Sequence, residues 1–396
     1  MVKARHPSDK ATHSQLKRHN RELVLRAIYH GIADNRAALA QETGLAKPTV
    51  SELVAELIDE GLLAENGHGP SGEGGGKRPR LVKFVPTARN VIGISLSEER
   101  AEGALAFLDG RIVARHQVEL HGAQGDDVIA RLADVINGLL AQLDAPLLCI
   151  GIGVPGVVNS DRGIVSHTAR LGWYNVPLAS ILSELYSVPV YVANNTELAA
   201  LGQFVFGPAG EMDSLATVLV GGGVGVGMVV NGTAYHGGRE IGYLRVADQS
   251  LVDAPPDSEG RLETFLGWHY VRQRAAALCR AYGSDLLPGP DELTYLHLGY
   301  AAANGDPAAL ALQDELSRYL AQVFAWIIGL LRPDHISLAG PMADYGEPLL
   351  AQTIAYTQEL ILPDLVEEVT FSLAESANLI LMGAIAQALQ YELGLA

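Results

Sequence analysis

The chain is short of cysteine, has no long apolar run and begins without a leader-like segment, and each shortage excludes something. Only Cys149 and Cys279 occur in 396 residues, both in apolar or helical stretches, so neither a disulfide framework nor a clustered metal site is expected. The opening MVKARHPSDKATHSQ lacks the apolar core of a signal peptide. No stretch approaches the ~18 continuous apolar residues of a membrane span without a glycine or a charge. The expected location is the reducing cytoplasm. Positive charge is also scarce, 28 Lys and Arg against 45 Asp and Glu, but unevenly so. Residues 1–90 carry 14 against 10, which leaves 14 against 35 for the remainder, or +4 beside −21. A mildly basic head on a strongly acidic body fits a DNA-binding module joined to a domain that must not itself bind DNA.

What is present is ample apolar residue, 48% of the chain, enough for two or three cored domains. Residues 36–60, RAALAQETGLAKPTVSELVAELIDE, read as two short helices joined at Gly44, the layout of a helix-turn-helix. In the second helix Val50, Leu53, Val54 and Leu57 fall at i, i+3, i+4 and i+7 and form one apolar stripe. Pro48 suits the first helical position, and Thr49, Ser51 and Glu52 then project near the helix start, where base edges are read. Lys47 and Arg36 add cations to this face. Ala46 departs from the pattern, since a Ser or Thr cap is expected there. The first of the two helices starts after Asp34-Asn35, a capping pair, and turns Leu39 and Ala40 inward. An earlier helix over roughly 16–30 brings Val24, Ala27 and Ile28 to complete a three-helix core.

After Gly61 the chain becomes extended and runs into GHGPSGEGGGKRPRLVKF, a glycine-rich loop ending in Lys77, Arg78 and Arg80. A basic loop between two strands is a wing that meets phosphates or the minor groove. The plainer alternative is a helical hairpin followed by a linker. A strand and a basic loop directly after the helices favour the winged helix. The head is expected over 1–86, with operator DNA as its partner.

From Val91 onward strand-like and helix-like segments alternate: VIGISLS, ALAFLD and RIVARHQVEL as strands, DDVIARLADVINGLLAQL as a helix, then PLLCIGIGVPGVVN, PVYVANN and LATVLVGGGVGVGMVVNG as strands. Long helices are expected around 261–283, 308–331 and 379–393. The alternation indicates an α/β body over 87–396.

Several of these segments resemble the ROK family, named for repressors, open reading frames and kinases: GIGVPGVVN (151–159), LGWYNVPLASILSELYSVPVYVANNTELAALGQFVFG (171–207), VGGGVGVGMVVNGTAYHGG with REIGY (220–243), and ISLAGPM (336–342). The resemblance covers nearly the whole chain. It implies an actin-like (ribonuclease H-like) body of two lobes, a sugar cleft between them, and a C-terminal helix returning to the first lobe. In the repressor branch a winged helix precedes this body, as here.

The resemblance also says what this chain has lost. Kinase members carry an Asn-Asp pair after the strand matched by VPVYVA, the Asp being the base. Here the pair is Asn194-Asn195, and a carboxamide takes no proton near neutral pH. Asn195 keeps its capacity to hydrogen-bond a sugar, although the two asparagines could equally shape a turn. The kinases' first phosphate loop, Asp-x-Gly-x-Thr, reads Ser95-Leu96-Ser97-Glu98-Glu99 here, without the metal-supporting Asp or the close-approach glycine. The later loop Gly221–Gly227 is intact, and serves either an anion or a tight hairpin in a buried sheet. Family sugar contacts carry over to Gly156, Asn194, Asn195, Glu240, Tyr243 (in place of a His) and Glu263. The family's structural zinc has no equivalent ligands, because DAPPDSEGRLE stands where the cysteine cluster would be.

The sequence thus points to a regulator, a repressor in type, with no catalytic residue and no cofactor. Its expected partners are operator DNA, a sugar or sugar-phosphate effector and a second copy of itself. Two other classes stay open: an active ROK sugar kinase with a DNA-binding head, and a DNA-binding protein governed by a protein partner with an empty cleft.

Overall fold

The computed structural model describes residues 13–69, 78–168, 170–207, 212–235, 241–246, 260–374 and 376–395, with only the backbone given at 13–14 and 376–377. Lys77 and Glu240 lie outside the described residues.

The head is built from α1 (His13–Tyr29), α2 (Arg36–Thr43) and α3 (Lys47–Asp59), followed by the antiparallel pair β1 (Leu63–His68) and β2 (Arg80–Phe84). Asn35 caps α2, its side chain accepting from the Ala37 and Ala38 amides. Gly44 ends that helix with φ +68, a left-handed turn that disfavours any side chain. The apolar stripe of α3 is fully buried, Val50, Leu53, Val54 and Leu57 alike. Helix α3 starts one residue earlier than its proline suggests: Lys47 is the first helical residue and Pro48 the second, with Ala46 as an N-cap that offers no side-chain bond.

The body contains two five-stranded sheets of one plan. In the first lobe β3 (Asn90–Leu96), β4 (Arg100–Phe107), β5 (Ile112–Glu119), helix α4 (Asp126–Leu140), β6 (Leu147–Val154), the small sheet of β7 (Val157–Asn159), β8 (Ile164–Thr168) and β9 (Trp173–Val176), helix α5 (Leu178–Tyr186) and β10 (Val190–Asn194) follow in turn. The sheet order is β10-β6-β3-β4-β5. After α6 (Asn195–Phe206) the second lobe repeats it. Its elements are β11 (Leu215–Val220), β12 (Val224–Val230), β13 (Thr233–Ala234), helices α7 (Leu262–Leu266), α8 (Trp268–Tyr282), α9 (Tyr295–Ala303) and α10 (Pro307–Leu331), then β14 (His335–Ala339), α11 (Glu347–Leu360), α12 (Pro363–Glu367) and β15 (Thr370–Leu373), in sheet order β13-β12-β11-β14-β15. In each sheet an antiparallel hairpin flanks three parallel strands, which is the duplicated actin-like architecture. Buried parallel strands need apolar residues on both faces, hence the unbroken run in β3 and β6, whereas edge strand β5 alternates.

Two helices join the lobes and the head. Helix α6 packs on β11 and β12, and the C-terminal helix α13 (Ser376–Leu393) lies along α6 and against β3 and β6. Their approach is close enough that a Cβ on Gly383 would overlap the Leu198 carbonyl oxygen, and one on Gly227 of β12 the Thr196 carbonyl oxygen. The far end of α13 meets the head. Leu389, Leu393 and Leu395 share one core with Val24, Leu25, Ile28 and Leu57. The Arg18 guanidinium donates to the Tyr391 carbonyl at 2.6 Å and Arg26 to that of Gly394 at 3.1 Å. Tyr391 also stacks on Tyr191, whose hydroxyl bonds Glu392. Head and first lobe are therefore continuous in packing.

Candidate DNA interface and effector cleft

On the head, the start of α3 leaves Lys47, Ser51 and Glu52 exposed and Thr49 half-buried. Arg36 is half-buried at the start of α2. Uncapped backbone N–H groups at Ala46 and beyond face the same way as the helix dipole's positive end, an arrangement suited to a phosphate beside the bases. Glu56, one turn further on, is tied back to Lys17 at 2.6 Å. Arg80 sits on β2 and pairs across the ladder with Glu65 at 3.1 Å. Both partners are well exposed, so the pair is worth at most about 1 kcal/mol and a phosphate can replace Glu65. Arg78 is exposed at the base of the wing.

In the body, Asn194 and Asn195 part company. Asn194 is the N-cap of α6: its Oδ1 accepts from the Thr196 amide at 2.8 Å and the Thr196 hydroxyl at 2.6 Å, and its Nδ2 donates to the Gly156 carbonyl at 2.6 Å. It is 5% exposed, so its part is to position the turn and its carboxamide is largely committed to the fold. Gly156 holds the matching turn at φ +93, where a Cβ would overlap the His167 carbonyl. Asn195 sits at the first turn of α6, its Nδ2 donating to the Leu96 carbonyl at 2.9 Å. Its Oδ1 is buried and accepts no hydrogen bond. Leaving such an acceptor unmet costs about 1–3 kcal/mol.

Glu263 faces this site from the second lobe. Burial pushes its carboxyl above the usual range, Arg261 and Arg170 hold it down, and Glu98 pushes it up again. Arg170 and Glu98 belong to the first lobe and are ion-paired, so charged groups of both lobes meet across the cleft. Tyr243 is half exposed beside Glu263, with the Arg261 guanidinium 5.4 Å from its ring centre. The glycine loop between them is a hairpin: Gly221 N–H donates to the Gly223 carbonyl at 3.0 Å, and the Trp268 amide donates to the Gly221 carbonyl at 2.9 Å. Gly225 and Gly227 face Thr196, so part of the glycine run serves the packing of α6.

The structure thus brings Glu263, Tyr243, Arg170 and Glu98 together across the lobes, and sets Asn195 at the start of α6 beside the end of β3, with Asn194 and Gly156 behind it. Arg170 carried no signal in the sequence, since its partner lies 72 residues away. At the position matched to the kinases' base stands a carboxamide, Asn195, and Ser95 and Ser97 stand where the first phosphate loop of the kinases has its Asp and Gly. The family's zinc does not fit either, because no Cys or His lies between Tyr243 and Trp268.

A winged helix packed onto a two-lobed, kinase-type body without a base defines a class, the DNA-binding regulator with a sensor body. Residues 91–390 match the ROK family and residues 24–67 the IclR helix-turn-helix domain. The chain belongs to the ROK family. It is 28% identical over 349 residues to a xylose repressor from Caldicellulosiruptor bescii, covering 85% of this chain and 87% of that protein. Among solved structures it resembles a ROK family transcriptional regulator, a homologue of the Escherichia coli MLC protein, with TM-score 0.83, 25% identity, and coverage of 96% of this chain and 98% of that one. A ROK glucokinase from Streptomyces griseus, solved with glucose and AMPPNP, shares the fold of the body at TM-score 0.66, 22% identity, and coverage of 76% and 99%. The full-length likeness is to repressors, and the chain is a regulator rather than an enzyme. Among the described residues no helix is long and apolar enough to cross a membrane.

Proposed function

We propose that the protein is a sugar-responsive transcriptional repressor, with a winged helix over 1–86 that binds operator DNA and a catalytically silent sensor over 87–396 that binds a sugar or sugar phosphate. The observation that carries this reading is the continuity from cleft to head: α6 begins at Asn195 in the cleft, packs tightly on α13, and α13 ends in the core of the winged helix. A sugar that draws the lobes together through Asn195, Glu240, Tyr243 and Glu263 moves α6 against α13 and so reorients the head. In a homodimer such a shift changes the spacing of two recognition helices, and with it operator affinity. DNA contacts come from Arg36, Lys47, Thr49, Ser51 and Glu52 on the helices and from Lys77, Arg78 and Arg80 on the wing. Xylose is the first effector to try, given the xylose repressor among the relatives. The test selects operator DNA from a random pool with the full-length protein, then titrates it with and without each sugar of a panel. A sugar-dependent change in affinity supports the reading. Robust phosphorylation of any sugar with ATP would overturn it.

A further inference from the structure

We propose that the cleft takes an unphosphorylated, uncharged sugar and rejects phosphosugars and nucleotides, with Glu98 and Arg170 as the residues that set this choice. The inference rests on the sugar-sensor reading above and narrows its ligand class. Loop Gly221–Gly223 is where an intact glycine turn would present N–H groups to a phosphate. Here two carboxylates stand over it. Glu98 Oε2 lies 3.7 Å from the place a Cβ on Gly222 would occupy, and Glu263 Oε2 lies 3.7 Å from that on Gly223.

The two acids arrive from different lobes, Glu98 from the turn after β3 and Glu263 from α7, so the loop is covered from both sides of the cleft. A phosphate against Gly222 and Gly223 sits within reach of both carboxylates. Like charges at this range disfavour a partner strongly. Of the cations nearby, Arg170 is ion-paired with Glu98, and Arg261 lies against the Tyr243 ring. Among the described residues these four charges cancel, leaving no net attraction for an anion. The Gly221 N–H is itself taken by the Gly223 carbonyl. Sugar hydroxyls suit the same surface, because a carboxylate accepts paired hydroxyl donors.

Full-length protein is titrated calorimetrically with three pairs of probes: D-xylose and D-xylose 5-phosphate, D-glucose and D-glucose 6-phosphate, and N-acetyl-D-glucosamine and its 6-phosphate. At least one neutral sugar is expected to bind, with its phosphate weaker by about a hundredfold or more. Glu98→Gln releases Arg170 from its carboxylate, and the gap between the neutral sugar and its phosphate should shrink about tenfold, an electrostatic effect that fades at high salt. A phosphosugar that binds wild type as well as its neutral partner, or a gap unmoved in Glu98→Gln, overturns this inference while leaving the sensor reading in place. No heat from any of the six overturns both.

Discussion

Shortening one side chain at the very end of the chain should disconnect the sensor from the DNA-binding head. Leu395 is 1% exposed and lies beyond the last residue of α13, in the core that α1 and α3 share with the first lobe. Leu395→Ala removes three carbons at about 0.8 kcal/mol each, so about 2.4 kcal/mol before any cavity term, within the usual range of about 2–5 kcal/mol for such a change. Coupling between two sites is typically worth about 1–3 kcal/mol. The loss at the junction is therefore as large as the energy it has to transmit. Because the sheet contacts of α13 and the whole cleft are untouched, effector binding should stay within about twofold of wild type, as expected for sites that share no partners. The assay is fluorescence anisotropy of labelled operator with and without effector, beside calorimetry of the effector alone. The ratio of the two operator affinities should collapse toward one in Leu395→Ala while the effector still binds. An unchanged ratio would refute the claim that the signal passes through this junction.

Other expectations follow from the same structure. Gly383→Ala should lower the melting temperature, with a cost of about 1–3 kcal/mol from forced separation of α13 and α6, and should weaken coupling without removing effector binding, as read by the same two titrations. Thr49→Ala or Ser51→Ala should cost about 1–3 kcal/mol in discrimination between operator and scrambled DNA, whereas Arg78→Ala should weaken both alike and reduce the slope of affinity against salt by about 0.9. Asn195→Asp alone should yield no sugar-stimulated ATP turnover in a coupled assay, since the phosphate loop is also missing. Because burial raises the Glu263 carboxyl in the folded state, folding favours its protonated form. Its ionisation therefore costs stability above the raised folded value, and the cost disappears as pH falls through that value toward the ordinary one. Glu263→Gln should accordingly raise the melting temperature at neutral pH and lose that advantage under acid conditions. An equal gain at both would show that burial of the charge is not the cause.

The head was legible because its signals are local. The four-residue stripe of α3, the cap at Asn35 and the turn at Gly44 all fall where periodicity and turn chemistry place them. In the body, β3, β6, β10 and β11 are visible as apolar runs, since parallel strands buried on both faces cannot alternate, whereas β15 and the small sheet of β7, β8 and β9 carry no such run. Tertiary contacts decided the rest. The helix expected over 261–283 is two helices broken at Gly267, because that residue sits against the Gly222 carbonyl and its neighbour Trp268 donates to Gly221. Helices α5, α9, α11 and α12 carry weak boundary signals in the sequence, and several are short. Asn194 carries a local signal: an Asn followed three residues later by Glu197 marks a helix start, and capping is what Asn194 does. The pairing of Arg170 with Glu98 and the docking of Arg26 on Gly394, 368 residues apart, are products of the fold alone.

The most direct test of the central claim is a single titration series: selected operator DNA against full-length protein, with no sugar and then with each neutral sugar at saturation. A regulator of this design predicts that one sugar changes operator affinity by about fivefold or more, while raising the melting temperature of the protein. An operator affinity identical in every sugar, with no shift in melting, would contradict it and would point instead to control by a protein partner on an empty cleft.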